Sequence, residues 1–149
     1  MKKFSKILLI IIAIIIVLTP AIIPISNNII ANNIKKALKE IPLPEQTKLV
    51  DSFSNAGKIV GNGNGMQYFG AILVKSELDI EDLMYYYQSY PYNLKIERQE
   101  SEKIVCDDIH KNLYFKKFDT SKSHYIVYMW GESPNGFISK LLDLDLRGH

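Results

Sequence analysis

The stretch ILLIIIAIIIVLTPAIIPI, Ile7 to Ile25, constrains this chain more than any other. It holds no charged side chain, and the next one downstream is Lys35. As a helix its 19 residues reach roughly 28 Å at about 1.5 Å each, close to the hydrocarbon thickness of a bilayer. Lys2, Lys3 and Lys6 stand just before it. That bias keeps an N-terminus cytoplasmic and sends the rest of the chain outward. A cleaved signal peptide has the same basic start and a shorter apolar core, which Ile7 to Leu18 would supply. Yet no A-x-A-like site comes after it. Thr19-Pro20-Ala21 is a poor substitute, and bulky isoleucines continue beyond it. The sequence therefore predicts an uncleaved single-pass anchor in the cell membrane, with the bilayer as its first partner and the C-terminal domain extracytoplasmic. Secretion after signal cleavage is the alternative.

The anchor accounts for the net charge. Without residues 1–25, three lysines are gone and 15 basic side chains face 16 acidic ones. The exported part is about neutral, so the basic balance of the whole chain gives no argument for nucleic acid. Cys106 is the sole cysteine, so no intramolecular disulfide can form and the domain must hold by its core.

After the anchor, Ile30, Ile34, Leu38 and Ile41 fall near a spacing of 3.6. Asn27, Asn28, Asn32 and Asn33 are expected on the other faces. This reads as a second helix, or as a continuation of the first past a proline kink; its stripe could lie on the lipid interface, pair with a partner helix or, as the plainest reading, pack on its own domain. PLPEQ, with Pro42 and Pro44, ends it. Three regions result: a basic tip and anchor over 1–25, a juxtamembrane helix over 26–41, and an extracytoplasmic domain over 42–149.

In that domain TKLVDSF reads as a strand, and MQYFGAILVKS as a stronger one. Tyr68, Gly70, Ile72 and Val74 share one face of it, and Phe69, Ala71 and Leu73 the other, so both faces are covered. Asp79 is a good N-cap for the next helix, with Glu81 and Asp82 in its first turn and Ile80, Leu83 and Tyr87 on its buried stripe. NLKIERQE, LYFKKF, HYIVYMW and LLDLDLR then alternate as strands. For residues 137–147 a helix stays open as the other choice. The expected fold is α+β: the apolar helix, then a twisted antiparallel sheet of about five to six strands in ββαβββ order with one main helix on one face.

GNGNG, Gly61 to Gly65, lacks what a phosphate loop needs. A strand-like segment comes after it rather than a helix, no Gly-Lys-Ser/Thr occurs, and it has no carboxylate for calcium. It reads as a hairpin turn, since Gly and Asn accept positive φ. Asn62 and Asn64 at its tip are candidate partner contacts. CDDIH, Cys106 to His110, is the one cluster of reactive types, with His124 the obvious extra ligand. On a strand its two ends lie about 13 Å apart and cannot share a zinc. A charged connector is the plainer reading. Asp143 and Asp145 alternate as solvation alone predicts. The sequence thus assigns no catalytic residue, no metal ligand and no cofactor.

The tyrosines are more informative. Tyr85, Tyr86, Tyr87, Tyr90 and Tyr92 crowd one helix and its exit. Consecutive helical positions diverge by about 100°, so at least one of the three in a row is exposed. Tyr85, Tyr86, Tyr90 and Tyr92 are candidate partner contacts, because exposed tyrosine offers a flat apolar face with a polar tip. Draping over the sheet edge is the alternative for them, and core or edge packing is expected for Trp130.

The run IPLPEQTKLVDSFSNAGKIVGNGNGMQYFGAILVKSELDIEDLMYYY resembles a recurring layout of small bacterial exported or membrane-tethered proteins. These have a basic start, one apolar segment, a Pro-containing lead-in, a hairpin and an acidic-capped helix ending in tyrosines. The resemblance covers about the first two thirds of the chain and implies location and architecture, not an activity. The expected function is a non-enzymatic binding module at the cell envelope, with an envelope protein or wall partner. The alternatives are a small hydrolase or metal-dependent enzyme using CDDIH with His124, and an accessory subunit recognised through its membrane helix.

Overall fold

The computed structural model describes residues 2–60, 65–106, 109–120 and 123–131. The predicted turn at Gly61 to Gly65, with Asn62 and Asn64, and the segment 137–147 with Asp143 and Asp145, therefore lie wholly or largely outside the described residues. The elements run α1 (Lys2–Glu40), β1 (Thr47–Gly57), β2 (Gln67–Ser76), α2 (Ile80–Gln88), β3 (Lys95–Gln99) and β4 (His124–Gly131). The class is α+β, with an N-terminal apolar helix and an antiparallel sheet of four strands among the described residues, ordered β1-β2-β4-β3.

Of the two readings for the segment after Ile25, continuation holds: α1 is one helix through Pro20 and Pro24. Each proline removes one i to i−4 hydrogen bond. The Thr19 hydroxyl donates to the Ile15 carbonyl at 2.7 Å, adding a bond in the turn that Pro20 weakens. Such repair is how apolar helices tolerate proline.

The two halves of α1 have different surroundings. From Phe4 to Ile15 and from Val17 to Ile22 its large apolar side chains are exposed, Phe4, Leu9, Ile15 and Val17 among the most so. This is the one helix, among the described residues, long and apolar enough to cross a membrane. From Ile23 onward one face is buried, through Asn27, Ala31 and Leu38 to Ile41. The expected apolar stripe is real, but Asn27 lies on it rather than on another face. Its Oδ1 accepts from the Tyr68 hydroxyl at 2.8 Å, and both residues are buried. A buried amide persists where its hydrogen bonds are made. Tyr68→Phe deprives Asn27 of that donor, and a loss of about 1–2 kcal/mol is expected in urea unfolding of the detergent-solubilised chain.

The sheet is covered on both faces, as the double alternation in β2 predicts. On the helix side Ile72, Val74, Tyr125 and Val127 pack with Leu38, Ile41, Leu83 and Tyr87. Nearer the N-terminal half of α1, Ala31 packs with Ala56, Met66 and Tyr68. On the other side Phe69, Ala71, Leu73, Ile126 and Tyr128 pack with Ile59, Ile104, Cys106, Leu113 and Phe115. Phe69 is the hub there. Its ring centroid lies 4.9 Å from that of Trp130, 5.7 Å from Tyr128 and 6.4 Å from Phe53.

The cover over that second face is mostly irregular, which corrects one expectation. LYFKKF is not a ladder strand. Among the described residues its bridge is a single pairing of Tyr114 with Lys103. Leu113 and Phe115 are buried while Tyr114 and Lys116 are exposed, so the alternation is genuine. The two bonds of that bridge run from Ile104 N to Leu113 O and from Phe115 N to Glu102 O. The amides of Lys116 and Lys117 both donate to Asp51 Oδ2, at 2.7 and 3.0 Å. Asp51 sits where the β1–β2 register shifts between Leu49 and Asp51. The bulge thus aims a carboxylate outward, and the covering segment is clasped to it.

Candidate contact surface

α2 positions the tyrosines. Asp79 is its N-cap, as predicted, and accepts from Asp82 N at 2.9 Å. Leu83 and Tyr87 face the core. The helix ends at Gln88, with Ser89 as the C-cap, so it stops before Pro91.

The structure separates the four candidate tyrosines into two kinds. Tyr86 is half-buried, and its hydroxyl donates to the Pro42 carbonyl at 2.9 Å. The Tyr86 and Tyr90 hydroxyls also share a hydrogen bond across 3.1 Å. The rings of Tyr86, Tyr87 and Tyr90 pack together with centroids 5.2 to 6.4 Å apart. These three fasten α2 to the lead-in after α1. Tyr85 and Tyr92 point outward, at 83% and 46% exposure. Tyr85 and Tyr86 border a shallow cavity of about 530 Å³ with Pro44, Leu78, Asp82 and Ser89. Of these two outward rings, Tyr85 is the more exposed and the one that borders the cavity.

The hydrogen bond shared with Tyr90, then burial, push the Tyr86 phenol up to about 12 from its usual 10. Burial raises Tyr87 as well, and its hydroxyl has no hydrogen-bond partner among the described residues. A phenol raised by folding favours the fold while it keeps its proton. That contribution is complete below about pH 10 and is lost as pH climbs through the folded value. In ultraviolet titration of the intact fold, Tyr86 and Tyr87 should ionise above the usual phenol range. Tyr86→Phe should abolish one late phase.

The other candidates fall apart in space. Cys106 is buried in the core of the second face, while His110 is exposed. His110 N donates to the Ile59 carbonyl at 3.2 Å, fixing this stretch to the end of β1. His124 is buried, its ring 4.7 Å from that of Phe118. Among the described residues no group of three or more His, Cys, Asp or Glu is arranged to hold a metal ion. Asp107 and Asp108 of the CDDIH run lie outside the described residues. Sequence reading misses two polar features, the buried amide of Asn27 and the backbone clasp at Asp51. The first has a signal in the sequence, because Asn27 falls in phase with Ala31, Ile34 and Leu38 on the apolar stripe. The second has none.

Fold and surface together define an α+β domain carried on a helix long and apolar enough to cross a membrane. No protein-family model, curated protein or solved structure matches the chain significantly.

Proposed function

We propose that this chain is a single-pass membrane protein whose sheet domain is a non-enzymatic interaction module at the cell envelope. One observation carries the reading. A single helix leaves its first half, Phe4 to Ile22, apolar and uncovered, and buries its second half in the domain. Uncovered apolar surface of that length is stable in lipid and costly in water. The lysines at positions 2, 3 and 6 set the N-terminus in the cytoplasm and the domain outside. Tyr85 and Tyr92 with the adjoining cavity are the contact surface, and an envelope protein or wall component is the partner.

Two measurements test this. The chain should stay with the membrane after alkaline carbonate washing, with its first 25 residues intact by mass. A photo-crosslinking residue at Tyr85 in intact cells should give one discrete adduct, weakened by Tyr92→Ala, while the same residue at exposed Lys103 gives none. Equal labelling from both positions would refute the contact surface. Release of the chain by carbonate would refute the anchor.

A further inference from the structure

The route from anchor to domain has no linker: α1 is exposed at Ile22, buried at Ile23 and bonded to the sheet at Asn27. Contacts along α1 fix which end of the sheet lies nearest the anchor. Asn27 bonds Tyr68, Ala31 packs with Ala56 and Tyr68, Ile34 abuts Gly70 and Gly131, and Leu38 packs with Ile72 and Val74. The helix and β2 therefore advance together. The end of the sheet bearing Ala56, Tyr68, Trp130 and Gly131 is the anchor-side end, since Ala56 and Gly131 flank Tyr68 in register.

We propose that this end of the sheet rests in the lipid headgroup layer, held in one posture by the unbroken helix. The posture depends on the membrane anchor proposed for α1. The headgroup layer is about 5–8 Å thick on each side of the hydrocarbon. Asn27 stands only two residues past Ile25, a rise of about 3 Å, so Tyr68 is held at the depth of that layer. A groove of about 520 Å³ between α1 and β1 opens at this level. It is lined by Ile25, Asn28, Ile29, Asn32, Ser54 and Asn55. Ile22, Ile25 and Ile29 are each more than half exposed, on one helical face, so the anchor's apolar surface runs on into the groove. Apolar and uncharged hydrogen-bonding side chains together suit the depth where acyl chains give way to headgroups. A lipid headgroup, with its chain along those isoleucines, is the occupant.

Trp130 makes the posture measurable, because it is the only tryptophan. The full chain is reconstituted in phosphatidylcholine vesicles carrying a nitroxide either on the headgroup or at the acyl-chain end. The headgroup label should cut Trp130 emission about twofold, and the deep label much less. Inserting about eight Gly and Ser residues between Ile25 and Ser26 leaves Ile7 to Ile25 whole and adds a tether of roughly 15 Å, and should remove most of the quenching while vesicle flotation persists. Flotation without headgroup quenching overturns the posture and leaves the anchor standing. Undiminished quenching after the insertion overturns the role of the helix in setting it. Failure to float overturns the anchor and the posture with it.

Discussion

Gly70→Ala should loosen α1 from the sheet and cost about 3 kcal/mol in urea unfolding, the upper part of the range for overpacking. A β-carbon at Gly70 would stand 2.5 Å from Ile34 Cγ2 and 2.9 Å from the backbone nitrogen of Lys35. The second contact is with helix backbone, which no rotamer change can move. Gly131 offers the control. A β-carbon there meets Ile34 Cδ1 at 2.2 Å and otherwise nothing closer than 3.2 Å. Gly131→Ala should therefore cost about 1 kcal/mol. Adding Ile34→Val, which deletes Cδ1 and keeps Cγ2, should recover most of that loss. The same addition should leave the Gly70→Ala penalty in place. Equal costs at the two glycines, or equal rescue, would mean that α1 does not cross the sheet as closely as the structure has it.

Phe69→Ala should be the most damaging single truncation, at about 3–5 kcal/mol. Phe69 is fully buried in the strand at the middle of the second face's core, with Trp130, Tyr128 and Phe53 around it. The irregular cover has few ladder bonds to keep its shape, so its packing depends on this ring cluster. Loss of the near-ultraviolet aromatic dichroism should accompany the drop in stability. Phe53→Ala, at a half-buried position on the rim of the same cluster, should cost visibly less. A Phe69→Ala variant as stable as Phe53→Ala would contradict the central place given to this ring.

Much of this fold is legible in local pattern. The double alternation of Tyr68 to Val74 announces a strand covered on two sides, and both covers are there. Asp79, three residues before Asp82, announces the start of α2. Local pattern fails where a residue's partner is far along the chain. Alternation at Leu113 and Phe115 signals an extended, half-buried segment, yet cannot say whether the amides beyond it meet a strand or a carboxylate. Those of Lys116 and Lys117 meet Asp51, 65 and 66 positions away. The contact surface divides in the same way. That one of three consecutive tyrosines must be exposed comes from helical geometry. That it is Tyr85, while Tyr86 is drawn inward, depends on the Pro42 carbonyl 44 positions away. The closeness of α1 to β2 and β4 is likewise hidden, because Gly70 and Gly131 read as ordinary strand glycines until Ile34 is seen between them.

The bulge near Asp51 has a consequence for crowding. Among the described residues β1 is an outer strand of 11 residues, long enough to recruit a neighbouring copy by backbone pairing. The register shift twists its rim, and the amides gathered by Asp51 tether a lysine-bearing segment, Lys116 and Lys117, against it. A second molecule approaching that rim meets positive charge and an interrupted row of donors and acceptors. Pairing of copies through β1 into a continuous ribbon is thereby disfavoured.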